Sequence, residues 1–113
     1  MIFVYAEDGM LDVVDDPATL CGRFEGIDVE NGVFAFYAED GAWLRPRFVV
    51  PNKRGWFGSV TSGAYVLEAG AERPPEVDAF DVALAEAAGL QPNPYFATLE
   101  AVRAHVLARR GGG

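Results

Sequence analysis

Apolar and polar positions alternate most clearly over residues 42–50. Leu44, Pro46, Phe48 and Val50 fall on one side of an extended chain, and Trp43, Arg45, Arg47 and Val49 fall on the other. This period of two predicts a strand whose first set faces the core. Pro46 has no N–H for a ladder, which predicts an edge position or a bulge. Upstream, Val33, Phe34, Ala35, Phe36 and Tyr37 are apolar on both alternating sides, as a central strand requires. Asn31-Gly32 lies just before that run, with Ile27-Asp28-Val29-Glu30 ahead of it, and Asn-Gly between two such runs predicts a tight hairpin. Residues 64–69 recover strand character, which completes a meander around residues 27–69.

The pentapeptide Tyr-Ala-Glu-Asp-Gly occurs twice, at residues 5–9 and 37–41, each time after an apolar run. Asp-Gly enters the left-handed region readily, so both copies predict a turn that ends a strand. Asp16-Pro17, followed by Ala18, Leu20, Cys21 and Phe24, predicts a short helix with Asp16 as cap and Pro17 at its first position. Beyond Pro74-Pro75, the spacing of Val77, Phe80, Leu84 and Ala88 predicts a helix that Gly89 ends. Thr98 caps a last helix with the stripe Leu99, Val102 and Val106, and Arg109 and Arg110 suit its negative C-terminal end. The expected fold is α+β: an antiparallel sheet of four or five strands, with two C-terminal helices and one short N-terminal helix packed on one face. Residues 1–110 are read as one domain and residues 111–113 as a flexible glycine tail.

Of 113 residues, half are hydrophobic and 23% are charged, which supports a packed core rather than global disorder. The formal net charge is −8. Residues 1–40 set ten acidic groups against Arg23 alone, whereas residues 41–67 contain no Asp or Glu and carry Arg45, Arg47, Lys53 and Arg54 with both tryptophans. An acidic body with one basic, aromatic segment disfavours nucleic acid and anionic lipid over most of the surface and favours a basic protein partner. No basic leader and no stretch of membrane-span length is present, so no membrane role is expected. Cys21 has no second cysteine to pair with, which makes a reducing cytoplasm the default.

The chemistry of sites is sparse, and neither a catalytic residue nor a cofactor or metal site is expected. Lys53, Gly55, Gly58 and Ser59 superficially suggest a phosphate loop, but the Lys precedes the glycines and a strand is expected after them. Asp12, Asp15 and Asp16 lack the alternating ligand spacing and central Gly of a calcium loop and read as an acidic surface with a helix cap. Cys21 reads as a buried thiol and His105 as a helix-surface residue.

Trp43, Arg45, Arg47, Lys53, Arg54 and Trp56 are the candidate binding residues. Arg offers planar bidentate donors and Trp a large contact area, the residue types that dominate interface hot spots. The expected function is a small, acidic, non-enzymatic protein that docks a protein partner by charge complementarity. Small size, acidity and a single domain are shared with immunity proteins that neutralise toxins, an analogy of type that rests on no motif. Two other readings use the same residues. One is a phosphate or carboxylate binder, possessing activity or not, built on the Arg/Lys cluster; the other is a homo-oligomer joined through the Pro46 edge strand.

Overall fold

Six strands join in one mixed sheet in the computed structural model, which describes residues 1–55 and 60–111. In chain order the strands and helices are β1 (Ile2–Ala6), β2 (Met10–Val14), a 3-10 turn (Pro17–Thr19) running into α1 (Leu20–Arg23), α2 (Gly26–Glu30), β3 (Phe34–Ala38) and β4 (Trp43–Val50). There follow β5 (Lys53–Arg54), β6 (Val60–Thr61), β7 (Ala64–Glu68), α3 (Phe80–Glu86), β8 (Gly89–Leu90) and α4 (Leu99–Gly111). The sheet order is β7-β4-β3-β1-β2-β8, antiparallel throughout except where β8 runs parallel to β2. β5 and β6 form a separate two-stranded piece. Among the described residues no helix is long and apolar enough to cross a membrane.

The α+β class agrees with the sequence reading, but three details differ. The sheet has six strands rather than four or five, because β1 and β2 pair as a hairpin at one side of β3 and the dipeptide Gly89-Leu90 adds a parallel edge. Gly89 therefore opens a strand, and the helix before it already ends at Glu86. Residues 27–30 are helical, not extended, and Asn31-Gly32 caps α2. Gly32 N–H bonds Val29 O and Val33 N–H bonds Asp28 O, both close to 3 Å, with Gly32 at φ +75°. This is a Schellman closure, and it needs the same left-handed residue that a two-residue hairpin needs, so Asn-Gly serves either.

Helices also cover both faces of the sheet, not one. On one side Val4, Val14 and Phe36 pack against Leu20, Phe24 and Val29 of α1 and α2. On the other, Phe3, Leu11 and Tyr37 pack against Phe80, Leu84, Val102 and Val106 of α3 and α4. Strands buried on both faces carry apolar residues at successive positions, which explains the continuous runs in β1 and β3.

The two pentapeptide copies form the same turn. Gly9 N–H bonds Ala6 O and Gly41 N–H bonds Ala38 O, each at 2.9 Å, and the two glycines sit at φ +87° and +86°. Asp8 and Asp40 each accept the amide two residues on, from Met10 and Ala42. A three-residue loop closed by a left-handed Gly is a standard hairpin connection. Asp16 caps the 3-10 turn through Ala18 N–H, and Thr98 caps α4 through Ala101 N–H, both as the sequence predicts.

From Arg45 onward β4 leaves β3. Their ladder ends at Phe36 opposite Leu44, whereas β4 pairs with β7 from Arg45 to Val50. Ala38 N–H donates to Ala42 O, so the even-numbered residues of β4 turn their backbone groups toward β3. Pro46 is the next even residue after Leu44 and has no N–H to give, which ends the ladder there. β4 thus passes from β3 to β7 between Leu44 and Arg45, and its register with β7 slips between Phe48 and Val50. Beyond this point β4 and β7 form a two-stranded ribbon that β5 and β6 prolong. The long dimension of the molecule, 49 Å against 28 and 26 Å, fits such an extension.

Asn52 fastens the ribbon to the body. Its Nδ2 donates to Gly26 O at 3.1 Å and to Glu30 at 2.7 Å, while its Oδ1 accepts Gly63 N–H at 2.7 Å. Tyr65 adds a buried bond from its hydroxyl to Phe24 O at 2.7 Å, and burial pushes the pKa of that hydroxyl up. Asn52→Ala leaves the Gly63 amide without its acceptor and removes the bonds to α2, and stability should fall by about 2 kcal/mol in urea unfolding. Asn52→Asp should do no better, because a carboxylate would face Glu30. Wild-type stability in both variants would show that the ribbon is held by other contacts.

Candidate functional site

Strand alternation places Arg45, Arg47 and Val49 on one face of the ribbon and Leu44, Pro46 and Phe48 on the other. Phe48, Tyr65 and Leu67 pack inward beneath α1. The opposite face begins at Trp43, which is half-buried against the α3–α4 side of the core. The sequence reading has Trp43 on a face turned away from the core; with helices on both faces, it becomes the last residue of β4 that they cover. Beyond Trp43 the face is open: Arg45 and Arg47 are exposed, Val49 is 52% exposed, and Val66, opposite Arg47 on β7, is 42% exposed. Val50, expected inward, is exposed as well, because the irregularity after Phe48 breaks the alternation.

Arg45 and Arg47 both reach Glu68, one to each carboxylate oxygen. Two cations on one anion leave the patch with a net positive charge, and in an exposed pair each contact contributes at most about 1 kcal/mol. Lys53 and Arg54 are exposed one short hairpin further along. Trp56 lies outside the described residues. The structure therefore brings Arg45 and Arg47 together on Glu68 and sets Lys53 and Arg54 apart from them.

The three aspartates of the expected acidic surface go three separate ways. Asp12 accepts from Arg23 Nη2 at both carboxylate oxygens, each at 2.9 Å, and from the Val13 amide at 2.8 Å. Asp15 accepts from the Tyr95 hydroxyl, a bond that lowers the pKa of the carboxyl and raises that of the phenol. Asp16 is the helix cap. Each is engaged within the chain by a different donor, and Asp15 and Asp16 are exposed.

Other side chains gather where the sequence offers less signal. Glu39, in the second pentapeptide, meets three donors: His105 at 2.9 Å, Arg109 at 3.0 Å and the Met1 amino group at 3.3 Å. The hydrogen bond with His105 is the main reason that its carboxyl titrates below the usual range. Arg110 forks onto Asp81 at 2.9 and 3.0 Å and donates through Nε to Asp40 O. α4 is thus clasped to the β3–β4 turn by His105 and, one turn on, by Arg109 and Arg110, and Arg110 also ties it to α3. Sequence pattern alone places these cations at a helix end without showing which carboxylates they reach.

Two hollows lie on either side of Tyr37. One, of about 210 Å³, is bordered by Tyr5, Glu7, Val33, Glu76 and Asp78. Among the described residues these three carboxylates pair with no cation. The other, of about 320 Å³, is bordered by Trp43, Gly70, Arg73, Phe80 and Arg110. Tyr37 itself donates to Asp78 O, and burial, then the Asp78 charge, pushes its pKa up to about 12. Neither hollow was visible in sequence, because residues 70–79 reach β3 only through the tertiary fold. No protein-family model, curated protein or solved structure matches the chain.

Glu39 generates a pH prediction. Its carboxyl titrates lower in the folded chain than its ordinary value of 4.5, so it contributes stability above that value that is lost as pH falls through the folded value. Asp15 has the same sign. Glu39→Gln should therefore flatten part of the acid loss of stability, measured by urea unfolding at steps from about pH 6 down to 3. An acid limb identical to wild type would mean that the clasp does not couple to folding.

Proposed function

We propose that the protein is a small acidic binding protein that docks a protein partner through the open face of the β4–β7 ribbon. The observation that carries this reading is the end of helical cover at Trp43. Past it, Val66 stays exposed opposite Arg47 and Val49 beyond it, although the same strands turn their other face to the core. Apolar area beside arginine is the composition of an interface patch rather than of an ordinary solvated strand. Lys53 and Arg54 extend the cationic rim along the ribbon, and Trp56 belongs to the same segment of sequence.

The acidic body supplies the long-range part of recognition toward a basic partner. Glu7, Glu76 and Asp78 suit this role better than Asp12, whose charge Arg23 offsets. Asp15 and Asp16, which meet no cation among the described residues, can act with them. A second copy of the chain is the other candidate partner, with the unpaired edge of β7 in place of the Pro46 strand.

Affinity capture with wild type and with Arg45→Glu/Arg47→Glu/Val66→Asp tests the reading. All three positions are exposed, so the variant should fold, which its circular dichroism will check. A defined partner should be retained by wild type and lost by the variant. Equal recovery of every protein by both removes the ribbon from recognition. For the partner recovered, Glu7→Lys/Glu76→Lys should slow association by about tenfold at low salt and much less at high salt. Light scattering that finds only monomer at all concentrations ends the second-copy reading.

A further inference from the structure

The 320 Å³ hollow between Trp43 and Arg110 differs from the rest of this acidic chain in the chemistry of its lining. Its ionisable side chains are Arg73, Arg110 and Tyr37, with no carboxylate among them. Arg110 commits Nε to Asp40 O and Nη1 to Asp81, and Arg73 commits Nη1 to Val77 O. That leaves Arg110 Nη2, Arg73 Nη2 and Nε, and Trp43 Nε1 with no acceptor among the described residues. Arg73, unlike Arg110, has no carboxylate partner there. The Tyr37 proton is already given to Asp78 O. The side chains bordering the hollow thus offer several N–H donors and a positive charge, and the side-chain acceptor that would complement them is absent.

The walls are flat and apolar. Trp43 supplies a partly exposed aromatic face, and the almost wholly buried Phe80 and Tyr37, ring centroids 5.1 Å apart, form the floor. Gly41, Gly70, Ala42, Ala71 and Ala79 keep the opening free of bulk. A volume of this size falls at the lower end of small-molecule sites, which combine apolar walls with a few polar groups that fix orientation. Arginine is suited to hold a carboxylate by two parallel bonds, and an aromatic body would stack on the walls.

We infer that this hollow binds a small aromatic carboxylate, its ring against Trp43 over the Phe80 floor and its anionic group against Arg73 and Arg110. Inorganic phosphate fits less well because it leaves the Trp43 wall uncovered, and a cation is repelled by two guanidinium groups. This site adjoins the open ribbon face at Trp43 and does not depend on a protein partner.

Titration of the full chain with 1-naphthoate, followed by amide NMR shifts, tests the assignment. Saturable shifts should concentrate at Gly41, Ala42, Gly70 and Ala71, with 1-naphthamide and inorganic phosphate each at least about tenfold weaker. Arg73→Gln should weaken naphthoate by about tenfold or more, the size of a lost charge-assisted contact. Ala71→Phe, which adds bulk to the lining and replaces neither arginine, should abolish the shifts while the thermal midpoint shows that the chain still folds. No saturation by about 10 mM naphthoate would overturn the inference. So would equal binding of naphthamide, or naphthoate shifts unchanged by both Arg73→Gln and Ala71→Phe.

Discussion

Phe3 and Val4 are neighbours in one strand, point to opposite faces of the sheet, and are both excluded from water. Phe36 and Tyr37 repeat the arrangement one strand away. A sheet with apolar residues on both faces must be covered twice, and a single layer of helices would leave Phe3 and Tyr37, or Val4 and Phe36, in solvent. Burying one such side chain contributes about 2–3 kcal/mol, so each layer is strongly favoured. The chain meets this requirement in order: α1 and α2 cover one face before β3 is made, and α3 and α4 cover the other after β7.

Coverage stops where the paired strands stop. Pro46 ends the β3–β4 ladder, and the ribbon that departs keeps one face against α1 through Phe48 and Tyr65 while its other face meets no helix. The open face is a geometric result of two causes together: a strand longer than its neighbour and a missing amide at Pro46. Asn52 then holds the departing ribbon by bonds to α2 and to Gly63, which fixes where the exposed arginines and valines stand relative to the body.

Charge is arranged on the same plan. The chain is acidic, yet its cations are concentrated where they join separate segments: Arg23 to Asp12, Arg45 and Arg47 to Glu68, Arg109 to Glu39, and Arg110 to Asp81. Each such pair is weak at the surface, and their number matters less than their placement. The pairs on Glu39 and Asp81 close α4 onto the turn after β3, and that closure forms one wall of the hollow beside Trp43. Near the N-terminus only Asp12 is offset by a cation among these three aspartates, while Asp15 and Asp16 meet the Tyr95 hydroxyl and a backbone amide and keep their charge at the surface.

The sequence by itself determined the α+β class, the alternation that sends Leu44 and Phe48 inward, both Tyr-Ala-Glu-Asp-Gly turns, and the caps at Asp16 and Thr98. All of these depend on residues within a few positions of one another. It did not determine whether Asn31-Gly32 closes a hairpin or a helix, since both closures require the same left-handed backbone and only the packing of Val29 against β3 and α1 selects the helix. Tertiary structure alone decided the second helical layer, and with it the half-burial of Trp43. It also decided which anion each arginine meets and the hollow between Trp43 and residues 70–79. These features join segments tens of residues apart, and periodicity along a chain carries no information about which distant segments come to share a surface.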